Sequence, residues 1–233
     1  MSKLTISEIF GPTISGEGSV IGRPTVFVRS GGCDYRCSWC DTLYAVLPEH
    51  RKEWVSLSSE VVFAEIQRLS PNPILVTLSG GNPAIQPFGD LIDLGHTYGY
   101  TFNMETQGSI ERSYMERLDY LTISPKPPSS GMVTRWDRLA TVLEGAGKHT
   151  TFKVVVFDEN DYLYAQEIQL RYPMIPLYLQ AGNPNPSHVG AFSQEAVLSK
   201  LSWLVDKVTQ DHWNSVTVLP QLHTLLWGNM QGV

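Results

Sequence analysis

Cysteine is scarce in this chain: its 233 residues hold three. Three thiols cannot build a disulfide framework, because pairing any two strands the third. No apolar run approaches a membrane span, and residues 1–30 lack the charged-then-apolar pattern of a secretory signal. Basic runs are also missing. With 17 basic and 23 acidic residues the net charge is −6, which repels a nucleic-acid backbone on average and favours a small substrate. No low-complexity linker or break in composition interrupts the chain, so 1–233 reads as a single domain, long enough to bury one substantial core. The expectation is a cytoplasmic protein with no nucleic-acid and no membrane partner.

The three cysteines that are present fall within eight residues, Cys33-Asp34-Tyr35-Arg36-Cys37-Ser38-Trp39-Cys40. A closed [4Fe–4S] cluster takes four thiolates, one per iron. Three leave one iron open, and an open position marks a reactive metal site rather than a structural one. A structural zinc would need a fourth ligand, and the six histidines are scattered rather than paired nearby. Asp34, Arg36 and Asp41 make the segment too polar for a core strand. The spacing resembles the signature of the radical S-adenosylmethionine enzymes, in which that cofactor occupies the open iron.

Short β-rich runs recur at Thr25 to Val28, Ile74 to Leu78, Thr101 to Met104, Tyr120 to Ile123, Phe152 to Phe157, Pro176 to Leu179 and Ser215 to Leu219. Between most of them apolar residues return three and four apart, in Ser58 to Leu69, Asp161 to Leu170 and Ser193 to Val208. Alternation of strand and helix implies α/β units and a mostly parallel sheet. About six such units are too few for a closed eightfold barrel, so the expected fold is a partial (β/α) barrel, with a flat doubly wound sheet as the alternative. Gly11 to Gly18, ahead of the first run, reads as a glycine-flexed hairpin or loop.

Nearly every unusual polar group follows a predicted strand, where parallel α/β architectures place their active face. Arg29 to Cys40 follows the first, Ser79-Gly80-Gly81-Asn82-Pro83 the second, Glu105-Thr106-Gln107-Gly108 the third and Ser124-Pro125-Lys126-Pro127-Pro128 the fourth. Gln180 ends a later strand, and Pro220-Gln221-Leu222-His223 follows the last. Gly80 and Gly81 would let backbone approach a ligand, although a glycine pair after a strand is also an ordinary turn. Glu105 could accept from two ribose hydroxyls or could be a solvated strand-end acid. Arg29, closing an apolar strand, has the planar fork that clamps a carboxylate. The tail keeps apolar residues nearly to Val233, unlike a frayed polar terminus, and is expected to dock.

Together these pieces resemble the 7-carboxy-7-deazaguanine synthase family over nearly the whole chain. The likeness is carried by Glu8-Ile9-Phe10-Gly11-Pro12-Thr13 through Gly16-Glu17-Gly18, by Phe27-Val28-Arg29, and by Cys33 through Thr42. It continues in Glu105 to Gly108, Ser124 to Ser130 and Pro220 to Val233. Two positions depart: Asn82 stands where the superfamily's Gly-Gly-Glu-Pro motif has glutamate, and Ser15 where many relatives carry glutamine.

The resemblance implies conversion of 6-carboxy-5,6,7,8-tetrahydropterin to 7-carboxy-7-deazaguanine, with ring contraction and loss of ammonia, in queuosine and 7-deazapurine biosynthesis. The hydrogen at C6 would be taken by a 5′-deoxyadenosyl radical generated on bound S-adenosylmethionine, so no side chain is assigned as the catalyst. Cys33, Cys37 and Cys40 would hold the [4Fe–4S] cluster, and Thr42 a Mg²⁺ ion. S-adenosylmethionine would meet Trp39, Cys40, Asp41, Gly81, Glu105, Ser124, Pro125 and Lys126. Arg29 would meet the substrate carboxylate, the Val233 carboxylate its amino-pyrimidine edge, and Ile14, Ser15, Gly16, Glu17, Ser79, Gln180 and His223 its rings. Implied partners are an electron donor such as flavodoxin or ferredoxin and a second copy in a homodimer. Alternatives that share the three-cysteine loop are a glycyl-radical-enzyme activase and an iron–sulfur electron carrier.

Overall fold

The computed structural model describes residues 3–233. In chain order its strands are β1 (Lys3–Ile14), β2 (Pro24–Ser30), β3 (Val55–Ser58), β4 (Leu75–Gly80), β5 (Thr101–Thr106), β6 (Tyr120–Ile123), β7 (Thr150–Val156), β8 (Leu177–Ala181) and β9 (Val216–Leu219). The helices are α1 (Leu43–Val46), α2 (Ser59–Leu69), α3 (Gly89–Thr97), α4 (Trp136–Glu144), α5 (Glu159–Arg171), α6 (Gln194–Gln210) and α7 (Leu222–Trp227). One nine-stranded sheet has the order β3-β1-β2-β4-β5-β6-β7-β8-β9 and does not close.

From β2 to β9 every neighbouring pair is parallel. Six of these seven strands lead into an α-helix; β5 reaches β6 through only a short 3₁₀ turn at Met115–Arg117. This is the expected partial (β/α) barrel. The helix starts follow from local chemistry, since Ser58, Asp158 and Ser193 each accept a hydrogen bond from the backbone N–H three residues on.

The expected hairpin or loop at Gly11 to Gly18 is corrected in its first part. Gly11 to Ile14 belong to β1, which pairs antiparallel with β2 and on its other side with β3. The β1–β2 register slips between Phe10 and Thr13, across Gly11 and Pro12. A bulge in a strand thus carried the residue types of a turn. The β3 edge strand has only four residues and no apolar alternation long enough to announce it.

The strands are two-faced. Val76, Leu78, Phe102, Met104, Ile123, Phe152, Val154, Val156 and Leu179 are fully buried in one apolar core with Val62 and Ile66 of α2, Leu91 of α3, Leu139 of α4, Ile168 of α5 and Leu204 of α6. The alternate positions Thr77, Ser79, Asn103, Glu105, Ser124 and Lys153 line a single cleft on the inner side. A period of two sends adjacent residues to opposite faces, so one set of strands builds both the core and the cleft wall.

Candidate active site

The cysteine segment leaves β2 and is pinned from three sides. The Gly32 N–H donates to the Ala45 carbonyl at 2.7 Å and the Asn82 N–H to the Gly32 carbonyl at 2.8 Å. The Ser38 N–H donates to the Ser130 carbonyl at 3.0 Å, and Trp39 Nε1 to Ser129 Oγ at 3.0 Å. Gly81 has no alternative here, because a Cβ at that position would sit 2.2 Å from the Gly32 carbonyl oxygen and 2.9 Å from Cys33 Cβ.

Asn82 is fully buried and does not line the cleft. Its Nδ2 donates to Asp34 Oδ1 at 2.8 Å and to Ser109 Oγ at 3.2 Å, while its Oδ1 accepts from Thr106 Oγ1 at 2.8 Å. Gln107 Nε2 reaches the same Asp34 oxygen at 2.6 Å. Asp34 therefore hangs the cysteine segment from the segments that follow β4 and β5 on two amide donors. A glutamate at 82 would lose the donor and place a second carboxylate against Asp34.

All three thiols are free, partly buried and part of the cleft wall. Burial raises the pKa of each, that of Cys37 to about 11, reinforced at Cys37 by the neighbouring thiols and Asp41. A metal bound here would have to supply the charge that ionises them. Among the described residues no group of three or more Cys, His, Asp or Glu side chains is arranged around one ion. A cubane spreads its ligands over separate irons, so its donor set need not converge as a single zinc requires. The residues present fit the cluster.

The same cleft carries an ion cluster that no single sequence motif contains. Lys153 of β7 is 2 % exposed, and its Nζ donates to Glu17 Oε2 and to Glu105 Oε1. Glu17 Oε1 also accepts from Gln221 Nε2 at 2.8 Å and lies 3.9 Å from His223 Nε2. Burial alone would raise the Glu17 pKa, but the Lys153 ammonium, with His223 behind it, outweighs that and holds the carboxyl well below its usual range. Burial opposes the charge on Lys153, and the two carboxylates reverse that and raise its pKa.

The same contacts bridge the open side of the sheet. The Leu222 N–H donates to the Gly16 carbonyl at 3.0 Å. A Cβ on Gly16 would sit 2.3 Å from His223 Nδ1, so glycine permits this approach. The loop after β1 and the tail after β9 thereby meet, joining segments from opposite parts of the open sheet.

At the rim, Arg29 Nε donates to Glu8 Oε1 at 2.6 Å, and the Tyr44 hydroxyl donates to the same oxygen at 2.7 Å. No other hydrogen bond holds the Arg29 guanidinium among the described residues, which leaves its outer Nη edge for a ligand in the cleft. Lys126 Nζ donates to Ser124 Oγ at 3.1 Å and stands 5.7 Å from the centre of the Trp39 ring. Thr42 precedes α1 without capping it, and its Oγ1 lies 3.7 Å from Cys40 Sγ.

The tail, expected to dock, lies along the cleft with Met230, Gln231 and Gly232 exposed. Gly228 to Val233 line the cleft, and Asn229 anchors them by accepting from Asn183 Nδ2 and donating to the Asn185 carbonyl, both at 2.9 Å. Of the residues named from sequence, the cleft gathers Ile14, Ser15, Gly16, Glu17, Arg29, Cys33, Cys37, Trp39, Cys40, Asp41, Thr42, Ser79, Gly81, Glu105, Ser124, Lys126, His223 and Val233. Pro125 and Gln180 do not reach its wall. Gln180 is fully buried in β8, with Nε2 donating to the Pro220 carbonyl at 3.1 Å, so its contact is with the start of the tail.

Sequence reasoning did not mention Lys153 or Asn103, and named Glu8 and Gln221 without giving them a role in the site. A signal for Lys153 existed: it is the one charged residue within Thr150-Thr151-Phe152-Lys153-Val154-Val155-Val156, every residue of which is buried. A lysine in a buried strand needs partners.

No protein-family model matches the chain. It is 42 % identical over 238 residues to the 7-carboxy-7-deazaguanine synthase of Bacillus cereus, covering 100 % of both chains. It is 44 % identical over 239 residues to the Bacillus subtilis protein of the same name, covering 99 % of this chain and 98 % of that one. Among solved structures, QueE from Escherichia coli superposes with a TM-score of 0.70 at 24 % identity, over 95 % of each chain. Streptococcus suis SuiB bound to S-adenosylmethionine gives 0.56 at 13 % identity, over 83 % of this chain and 50 % of that one. These two superpositions concern the fold.

Proposed function

The chain belongs to the 7-carboxy-7-deazaguanine synthase family of radical S-adenosylmethionine lyases, and from that premise we propose that it converts 6-carboxy-5,6,7,8-tetrahydropterin to 7-carboxy-7-deazaguanine with loss of ammonia. The observation that carries this reading is one cleft walled by three cysteines, a half-free arginine, a buried ion cluster and the Gly228–Val233 segment. A glycyl-radical-enzyme activase or an electron carrier is not favoured, because the match to the synthases is full-length and neither role calls for a docked tail.

In this proposal Cys33, Cys37 and Cys40 hold a [4Fe–4S] cluster. Bound together, the cluster and S-adenosylmethionine supply the one-electron cleavage that begins hydrogen abstraction. The protein's part is to bind, orient and exclude water. Backbone at Gly81 admits the cofactor's methionyl end, and Glu105 accepts from its ribose hydroxyls while Trp39, Asp41, Ser124 and Lys126 flank it. The outer edge of Arg29, aimed by Glu8, clamps the pterin carboxylate through two parallel hydrogen bonds. The Val233 carboxylate, a charged acceptor, suits the donor-rich amino-pyrimidine edge, with the 14–17 loop, Ser79 and His223 around the rings. Thr42 Oγ1, unused as a helix cap, is the proposed side-chain ligand of a Mg²⁺ ion that keeps its waters. A homodimer, a flavodoxin or ferredoxin donor and a cytoplasmic setting belong to the same proposal. Among the described residues no helix is long and apolar enough to cross a membrane.

Anaerobic cluster reconstitution followed by incubation with the carboxypterin, S-adenosylmethionine, reductant and Mg²⁺ tests the reading by mass spectrometry. The expected product is the carboxylated deazaguanine, with S-adenosylmethionine regenerated. Stoichiometric consumption of S-adenosylmethionine without that product would overturn it.

A further inference from the structure

Lys153 lines the cleft and bonds one residue from each proposed ligand surface. Its ammonium has three N–H donors and spends two of them on carboxylates from different parts of the fold, Glu105 of β5 and Glu17 of the loop after β1. Glu17 passes the connection on to Gln221 at 2.8 Å, and the adjoining Gly16 carbonyl holds the Leu222 N–H at 3.0 Å. A continuous polar chain thus runs from the end of β5 to the tail after β9, both of which line the cleft. It is held by a lysine that is 2 % exposed, where water does little to screen one carboxylate from the other.

We propose that Lys153 is a positioning residue that couples the two halves of the cleft, so that occupation of the Glu105 side tightens binding on the Glu17 side. The proposal rests on the assignment of S-adenosylmethionine to Glu105 and of the pterin to the 14–17 loop. Hydroxyl donors arriving at Glu105 occupy its lone pairs and weaken its hold on the shared ammonium. The ammonium then serves Glu17 more fully. Glu17, gripped from one side by Lys153 and from the other by Gln221, fixes the loop and the tail in the arrangement that receives the second ligand. Linkage makes the effect reciprocal: the pterin tightens S-adenosylmethionine by the same factor.

The test is calorimetric titration of the anaerobically reconstituted full-length protein with 6-carboxy-tetrahydropterin, without reductant, in the absence and presence of saturating S-adenosylmethionine. In the wild type the pterin Kd should fall by about 5- to 150-fold when S-adenosylmethionine is bound. In Lys153→Met the ratio should collapse towards one, even where both separate affinities are also weakened. A purely structural lysine would weaken both ligands and leave the ratio standing. Glu17→Gln removes one arm while leaving the Lys153–Glu105 pair intact, and should collapse the ratio even if Lys153→Met does not fold. Independent binding of the two ligands in the wild type, or a wild-type ratio preserved in either folded variant, overturns the coupling. Failure of the wild type to bind S-adenosylmethionine at all would instead sink the functional reading on which the coupling depends.

Discussion

Val76 and Thr77 are neighbours in β4 with opposite occupations. Val76 is fully buried among helices, whereas Thr77 looks into the cleft and shares a 2.8 Å hydrogen bond with Thr25 of β2. The contrast repeats in β5 (Phe102 and Met104 against Asn103 and Glu105) and in β7 (Phe152 and Val154 against Lys153). The outer face is interchangeable apolar volume whose contribution is stability. The inner face is polar, particular and partly unsatisfied: the buried Asn103 Oδ1 and Gln221 Oε1 have no hydrogen-bond partner. Such orphans in a cleft are what a bound ligand would complete. Changes on the outer face should therefore alter stability and changes around the cleft should alter ligands or iron.

The largest separation is expected at the cysteines. Cys37→Ala should abolish turnover and reduce bound iron while leaving the apo protein's thermal midpoint near that of the wild type, read by iron analysis and circular dichroism. Iron and activity at wild-type levels would refute the cluster assignment. On the other face, Phe152→Ala removes a fully buried ring from the core and should cost about 3–5 kcal/mol of stability in denaturant unfolding. A loss below about 1 kcal/mol would mean that the outer face is not the stabilising one.

Asn82→Glu sits between the two regimes. It restores the superfamily's residue but trades a donor for a charge beside Asp34, and an unmet buried polar group costs about 1–3 kcal/mol, more when charged. The expected result is lower stability together with poorer iron retention, since Asp34 belongs to the cysteine segment. Arg29→Lys keeps the charge and loses the fork. The pterin Kd should rise by the equivalent of about 1–3 kcal/mol, with S-adenosylmethionine binding unchanged; equal pterin affinity in calorimetry would reject the clamp. The smallest effect is expected of Thr42→Val, which keeps the shape and should blunt Mg²⁺ stimulation of turnover. A chelator titration that cannot tell it from the wild type would rule out Thr42 as the ligand.

Much of this site was readable in the chain because its parts announce themselves locally. Three thiols in eight residues, a glycine pair after a strand and an apolar tail are short-range patterns, and each kept its place beside the cleft. Gln180 shows a limit of local reading: a polar residue at a strand end can face the ligand or a neighbouring chain segment, and here its Nε2 serves Pro220 while its buried Oε1 has no partner. The turn-like residues of β1 misled because glycine and proline mark bulges as readily as turns.

The sequence by itself determined the alternation of strand and helix, the thiol set and the two-residue period that separates core from cleft. Each of these depends on residues within a few positions of one another, where backbone geometry alone dictates which side chains share a face. Only the tertiary structure decided that Lys153 would lie between Glu17 and Glu105, that Asn82 would carry Asp34, and that Gly16 and Leu222 would bridge the open sheet. Those pairs are separated by 136, 48, 48 and, for the Gln221–Glu17 bond beside the last, 204 positions. No local propensity reports such a pairing. It is settled when the parallel sheet brings distant segments to one face, and the cost of burying a charge or an amide selects the partner found there.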